Sequence, residues 1–193
     1  MSGTDAILEA SSALARLIAT GDPSGAALPA GVVLGRPEAE DNGDSRFSLW
    51  LYRVIENEFQ KNVPPIRNTD QADPTLRRAP LVLDLYYLLT PFGGTEDRRQ
   101  ERLGEAMQRV YTRPIVELAP GPAGPTAVRE QLHIQLFRMA LEELTRIWEA
   151  LNQPLRLSVV YQVRFVRLDT TPVRVPRPIT DRRIDAPPEE ALP

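Results

Sequence analysis

The side chains that could do chemistry are few and scattered along this sequence. His133 is the single histidine among 193 residues, and there is no cysteine. A thiolate nucleophile, a disulfide and a cysteine-ligated zinc site are therefore excluded. His133 falls at an outward position of a predicted strand, so a surface role is favoured over that of a general base. A histidine-based metal site would need carboxylates that converge on His133, and no spacing predicts them.

The acids and glycines do not form a recognisable catalytic arrangement either. Glu142–Glu143 and Glu189–Glu190 point apart on a helix or lie in the C-terminal tail, which indicates solvated charge rather than an acid–base pair. Gly93–Gly94 lacks the lysine and hydroxyl of a phosphate-binding loop and is typical of a turn. Asp84 is the one acid inside an apolar strand, where a hydrogen-bonded structural role is favoured over catalysis. The sequence predicts a non-enzyme without metal or cofactor.

Charge and hydropathy exclude further classes. The net charge is −3, so no large positive field attracts nucleic acid or anionic lipid. No apolar run approaches the roughly 18–20 residues that span a membrane. The N-terminus lacks the basic start and apolar stretch of a signal peptide, so we expect synthesis in the cytoplasm. Of the 23 basic residues 22 are arginine, which indicates a GC-rich genome or, second, selection for interfaces that use the planar guanidinium.

The elements that must position these side chains centre on residues 81–114. Alternation predicts a long strand from Leu81, with one apolar face formed by Leu81, Leu83, Leu85, Tyr87 and Leu89. Its other face is mixed, with Val82, Asp84, Tyr86 and Leu88. Pro91 and Gly93–Gly94 break the strand, and Thr95 is the expected N-cap of a helix that Pro114 stops. The apolar stripe of that helix is Leu103, Ala106, Met107, Val110 and Tyr111.

The N-terminal part of the chain is predicted to contain one helix and two strands. A helix over residues 5–20 is capped by Thr4 and ended by Gly21. A brief strand covers Val32–Leu34. A stronger strand follows from Arg46, with apolar residues on both faces, which indicates that both faces are covered. One face carries Phe47, Leu49 and Leu51, and the other carries Trp50, Tyr52 and Val54.

The C-terminal part adds three strands and a helix. The strands cover residues 115–118, 131–137 and 155–169, and the helix covers residues 141–151. The predicted inward side chains are Leu132, Ile134 and Leu136 in the second strand and Leu141, Leu144, Ile147, Trp148 and Leu151 in the helix. The last strand alternates between a dry face (Leu155, Leu157, Val159, Tyr161, Val163 and Phe165) and a wet face (Arg156, Ser158, Val160, Gln162 and Arg164). Together, these helices and strands predict an α+β domain with a mostly antiparallel sheet flanked by amphipathic helices.

Two segments outside these elements are candidates for protein contacts. Residues 57–79 show no clear period and carry Arg67, Arg77 and Arg78; an interaction loop and a surface excursion are equally open. Residues 170–193 are rich in proline and arginine and cannot bury enough apolar surface to fold alone. Val173, Arg174 and Val175 suit an extended arm that adds a strand to a partner's sheet edge, and a disordered tail is the alternative. We therefore divide the chain into a domain of residues 1–169 and an arm of residues 170–193.

Four segments, in their order and spacing, carry a resemblance to a known family. They are SLWLYRVIENEFQKNVPP, LVLDLYYLLTPFG, LGEAMQRVYTRP and LEELTRIWEALNQPLRLSVVYQVRFVRLD. Together they resemble the N-terminal-domain family of cap proteins from contractile injection systems, the phage-tail-like particles of the antifeeding-prophage and Photorhabdus-virulence-cassette type. The resemblance covers residues 5–169, and none of the segments is catalytic.

The resemblance implies a structural role. The members of that family resemble tail terminators, which form a sixfold ring on the distal end of the inner tube and contact the last sheath ring. The implied partners are copies of the same chain, the inner-tube protein and the sheath protein, with no nucleic acid and no membrane insertion. A stack of identical rings stops growing when the last ring added binds the ring below through one face and its opposite face binds no further ring. The implied location is the assembled particle, whether it is released or retained.

Two other functions stay open at this point. The chain could be a different tail-completion or adaptor protein of such a particle, which predicts binding to a baseplate or tube-initiating component. It could also be a small ligand-binding module or enzyme, which would need a pocket with convergent polar groups. The sequence supplies no such group of residues.

Overall fold

The structure is a computed structural model that describes residues 5–25, 27–37, 46–61, 64–68, 75–118, 131–168, 170 and 173–174. It divides the chain into two compact units. The first unit is made of Met1–Val63 and Pro80–Thr170, and the second of Pro64–Ala79 and Thr171–Pro193. The predicted division at residues 169 and 170 stays a prediction, since most of the proposed arm lies outside the described residues.

The described part of the first unit consists of a six-stranded sheet, three α-helices and a 3-10 turn. Its strands lie in the order β1-β2-β5-β8-β7-β6, and every described neighbour pair is antiparallel except β1 and β2. The predicted α+β class with a mostly antiparallel sheet is therefore confirmed. Numbered along the whole chain, the elements of this unit are α1 (Ala6–Thr20), β1 (Val32–Leu34), β2 (Arg46–Glu56), a 3-10 turn (Glu58–Gln60), β5 (Leu81–Phe92), α2 (Glu96–Thr112), β6 (Ile115–Glu117), β7 (Gln131–Phe137), α3 (Leu141–Ala150) and β8 (Val159–Leu168).

The second unit contains a three-stranded sheet in the order β3-β4-β9. Its strands are β3 (Ile66–Asn68), β4 (Thr75–Arg77) and β9 (Val173–Arg174). The segment from residue 57 to 79, predicted to lack regular structure, thus holds two short strands and the 3-10 turn. Strands of three residues are too short to show an alternation in the sequence.

Strand β5 is central to the first unit because both of its faces are buried. On one face Leu83, Leu85, Tyr87 and Leu89 join a core cluster with residues of α1 and α2, as the alternation predicted. The other face is buried as well, since Tyr86 and Leu88 join a second cluster that includes Trp148 of α3 together with Leu151 and Val160. The helices thus lie against both faces. Each fully buried leucine stabilises the fold by about 1.5–3 kcal/mol.

The end of α1 is held by a residue of α2. Gly21 caps α1 in the left-handed conformation, with φ of 77°, and its N–H donates to Leu17 O at 2.9 Å. Arg109 Nη1 donates to the carbonyl oxygens of Ile18 and Ala19, each at 2.8 Å. A cation at the C-terminus of a helix satisfies free carbonyls and the helix dipole together. The helix begins at Ala6 with Asp5 at the N-cap position, so the predicted N-cap, Thr4, is wrong. Thr4 itself lies outside the described residues.

Two β-bulges explain where the predicted strand faces are wrong. In β2 the register shifts between Leu51 and Arg53, so Ile55 rather than Val54 packs on the second cluster. In β8 two residues, Arg164 and Phe165, stand opposite Asp84, and Phe165 has a φ of 68°. A bulge changes the phase of alternation by one residue. Val166 is therefore buried in place of the predicted Phe165.

The predicted wet face of β8 is also partly wrong. Val160 and Gln162 are buried, because the second cluster and a polar group around Asp84 cover that face. The strand begins at Val159 rather than at residue 155. Leu155 and Leu157, which were assigned to the dry face, are exposed.

Four further apolar side chains with core spacing are exposed. Leu81 at the start of β5 is 40% exposed and Tyr111 in α2 is 88% exposed. Leu136 in β7 is 55% exposed, and Leu141 at the start of α3 is 63% exposed. Each lies near an end of its element, beyond the reach of the neighbouring layer. Among the described helices, none is both long and apolar enough to cross a membrane.

Candidate interaction surfaces

The second unit brings together most of the residues that the sequence singled out for protein contacts. In the β3–β4 hairpin, Arg67 pairs with Leu76 and Arg77 with Ile66. On the other side of β4, Val173 pairs with Leu76 and Arg174 with Thr75. Arg78 follows β4 directly and is exposed. Val175 lies outside the described residues.

The arm and the arginine-bearing loop therefore form one sheet, which sequence reasoning did not foresee. A two-stranded hairpin is at best marginally stable in water, and a third strand is usually needed. Residues 173–174 supply that strand within the same chain. Whether the arm also adds a strand to a partner's sheet stays a prediction, as does the contact role of these residues.

An apolar groove lies in the first unit between the end of α2 and strand β7. Its volume is about 560 Å³. Val110, Ile134 and Tyr161 are buried at its base, whereas Tyr111 and Leu136 are exposed. The residues that line it are Met107, Gln108, Val110, Tyr111, Pro114, Ile134, Gln135, Leu136 and Tyr161. The exposed side chains, predicted as core, thus belong to an accessible apolar surface.

Beside this groove, one edge of β7 is only partly covered by the strands that the structure describes. Strand β6 pairs with residues 131–133 of β7, and the N–H of Ile134 donates to Pro114 O at 2.7 Å. Further along, residues 135–137 pair with β8 on one side and with no described strand on the other. An open strand edge beside an apolar groove can accept an extended segment of another chain.

A buried polar cluster surrounds Asp84 on the other face of β5. Asn57 Nδ2 donates to Asp84 Oδ1 at 3.0 Å, and Gln162 Nε2 donates to Oδ2 at 3.2 Å. Arg164 Nε lies 3.5 Å from the same Oδ2, within ion-pair distance. Gln135 Nε2 donates to Gln162 Oε1 at 2.6 Å. These partners satisfy a carboxylate that is 5% exposed, which fits the hydrogen-bonded structural role expected for Asp84.

The cluster also holds the hydroxyl group of Tyr86 in place. Gln162 Nε2 lies 3.0 Å from the hydroxyl oxygen of Tyr86. Burial raises the pKa of Tyr86, and the charge of Asp84 raises it further. Tyr86 therefore stays neutral and can accept this hydrogen bond throughout the physiological pH range.

Other titratable residues of the first unit serve packing. His133 lies edge-to-face against Phe165, with ring centroids 5.0 Å apart. Burial raises the pKa of Tyr52 and of Tyr161 to about 12. Burial also raises the pKa of Tyr87, whose hydroxyl lies 2.8 Å from Ser11 Oγ. Among the residues that the structure describes, no group of three or more histidine, cysteine or acidic side chains could hold a metal ion.

The architecture is that of a known fold. The mostly antiparallel six-stranded sheet with helices against both faces is similar in fold to two solved structures. The first is the sheath/tube terminator of the extracellular contractile injection system PVC in its extended state, with a TM-score of 0.63 and 17% identity over 98% of this chain. The second is the tube-terminating cap of the anti-feeding prophage, with a TM-score of 0.51 and 15% identity over 96% of this chain.

The family follows from the sequence match. The chain belongs to the Pvc16 N-terminal domain family, whose model matches residues 9–181. The family resemblance seen in the sequence is therefore confirmed. The chain spans 64% of the length of the PVC terminator and 58% of the length of the anti-feeding prophage cap. A comparison with curated proteins finds no match.

Proposed function

We propose that this chain is a structural cap of a contractile injection system, which ends the inner tube and anchors the distal end of the sheath. The observation that carries the proposal is the fold shared with the PVC sheath/tube terminator over 98% of this chain. Membership of the Pvc16 N-terminal domain family supports the same role. The chain acts by assembly, without catalysis and without a cofactor.

The ring that we propose contains six copies of the chain. A heterologous contact, in which one surface binds a different surface of the next copy, closes into a ring when the rotation allows it. The groove between α2 and β7 supplies an apolar surface, and the adjacent residues 135–137 of β7 have no described strand on one side. Surfaces of this kind are typical of protein interfaces. One face of the ring binds the last tube ring, and the opposite face does not recruit another.

The sheath contact is assigned to the C-terminal arm. Residues 175–178 read Val-Pro-Arg-Pro, a composition that suits an extended segment. The chain is made in the cytoplasm and functions in the assembled particle.

Electron microscopy of particles from cells with and without this chain tests the proposal. Loss of a terminator should give overlong, uncapped or prematurely contracted particles. Complementation with the intact chain is the control, and it should restore uniform length. Particles that remain normal in length and capped at the distal end would contradict the capping role and favour another junction of the particle.

Deleting residues 170–193 tests the sheath contact separately. We expect the first unit to stay folded, because its core clusters lie before residue 170. Attachment of the cap to the sheath should fall strongly, as measured by co-sedimentation of capped tubes with sheath. A matched deletion of residues 175–193 keeps β9 and distinguishes the outer arm from the strand. Unchanged sheath attachment in both deletions would exclude the arm as the anchor.

A further inference from the structure

Among the described pairings, strand β9 pairs with only two of the three residues of β4. The pairing joins Thr75 with Arg174 and Leu76 with Val173, and no described strand pairs with Arg77 on this side. Val173 is 59% exposed, so the contact buries little apolar surface. A contact of this size opens readily, since local stability follows buried apolar contacts.

The hairpin nevertheless needs this strand. The strands β3 and β4 each have three residues, and a lone two-stranded hairpin is at best marginally stable in water. Any segment with the sequence of residues 173–174 satisfies the edge equally well, whichever copy of the chain supplies it. The hairpin therefore requires a third strand but does not specify its source.

The link before β9 favours exchange between copies. Four residues, 169–172, separate the end of β8 at Leu168 from the start of β9 at Val173. Short links before a terminal strand are sites where domain swapping is common, because every contact of the closed form can be remade with a second copy.

We infer that β4 is a strand-exchange site at which residues 173–174 of a second copy replace those of the same chain. The exchange joins neighbouring copies through main-chain hydrogen bonds at the cost of breaking equivalent bonds within each copy. High local concentration in an assembly then favours the exchanged form. The inference does not depend on the proposed capping role, since it requires two copies of this chain and no other protein.

Engineered cysteines test the exchange in the purified full-length chain. The natural chain has no cysteine, so the introduced thiols are the sole ones. Directly opposed residues of antiparallel strands have Cα atoms about 4.5–5.5 Å apart, within the range for a disulfide. Leu76→Cys and Val173→Cys in one chain report both forms, because they give an intrachain bond when closed and interchain bonds when exchanged.

The decisive sample mixes two chains that each carry one of these substitutions. A disulfide between residues 76 and 173 is then possible only between copies. We expect mixed dimers on a non-reducing gel, and their share should rise about tenfold for each tenfold increase in protein concentration while the closed form dominates, because exchange is bimolecular. A mixture of Val173→Cys with Glu101→Cys, an exposed position of α2, measures random collision.

The outcomes separate clearly. Mixed dimers above the collision control at rising concentration support the exchange. A double variant that stays intrachain at every concentration, together with mixed dimers no more frequent than in the control, overturns it. The neighbouring pair, Thr75→Cys with Arg174→Cys, repeats the test at the same edge in case one variant folds poorly. Inserting Gly-Gly-Ser after Thr170 should shift the double variant towards the intrachain bond, because a longer link relaxes the closed form.

Discussion

The two units of this chain are stabilised in different ways. The first unit has a six-stranded sheet with a buried cluster on each face. The described part of the second unit has three strands of two or three residues, one of them contributed from the far end of the chain. A unit with its own core can hold its shape in isolation, whereas a unit completed by a terminal strand can exchange that strand. The first unit is thus the rigid part of the chain, and the second unit is the part that can exchange a strand.

The largest expected effect is the loss of a core side chain of the first unit. Leu85 is fully buried at the centre of β5. Leu85→Ala should lower the free energy of unfolding by about 2–5 kcal/mol, because it removes apolar contacts and leaves a cavity. Val173→Ala in the second unit should change it by no more than about 0.5 kcal/mol. Urea denaturation measures both, and equal losses would contradict the contrast between the units.

A smaller loss is expected from the polar cluster on the other face. Asp84→Ala removes the acceptor of Asn57 and Gln162 and the ion-pair partner of Arg164. Leaving buried donors without an acceptor should cost about 1–3 kcal/mol in the free energy of unfolding. Asp84→Asn keeps an acceptor oxygen and should cost less. If Asp84→Ala is as stable as the parent in urea denaturation, the cluster contributes nothing to the first unit.

Alkaline pH should weaken the first unit through its buried tyrosines. The pKa of Tyr161 is raised by burial from 10.0 to about 12. The unfolded chain therefore loses this proton before the folded chain does, so the stabilisation is complete below pH 10 and is lost as the pH rises towards about 12. Denaturation midpoints measured between pH 9 and 12 should fall. Tyr161→Phe should reduce that fall, and an unchanged slope would contradict the assignment.

Much of the first unit could be predicted from the sequence because its long elements show clear periods. The buried face of β5 and the helix residues Leu103, Ala106 and Val110 follow from alternation and helical spacing. Alternation fails at the bulges beside Tyr52 and Arg164, since two residues there oppose one across the ladder. Nothing in a hydrophobic pattern marks where such an extra residue falls.

The second unit and the groove could not be predicted for a different reason. The pairing of Leu76 with Val173 joins segments far apart in the chain, and neither segment is long enough for a period. Tyr111 and Leu136 have core spacing, but Tyr111 lies in the last turn of α2 and Leu136 lies beyond residues 131–133, with which β6 pairs. Charge and extended character can be seen in the sequence, but the pairing that places Arg67, Arg77, Val173 and Arg174 in one sheet cannot.

The smallest effect on stability, and the sharpest separation of stability from assembly, is expected at Tyr111. This side chain is 88% exposed beside the groove, so Tyr111→Ala should change the free energy of unfolding by no more than about 0.5 kcal/mol. An aromatic side chain at the centre of an interface often contributes more than about 2 kcal/mol to binding. We therefore expect Tyr111→Ala to reduce incorporation of the chain into particles, measured by immunoblot of purified particles. Leu8→Ala, at an exposed position of α1, is the matched control. If both variants enter particles as well as the parent, the groove between α2 and β7 is not an assembly surface, and the ring contacts must lie elsewhere on the first unit or in the second.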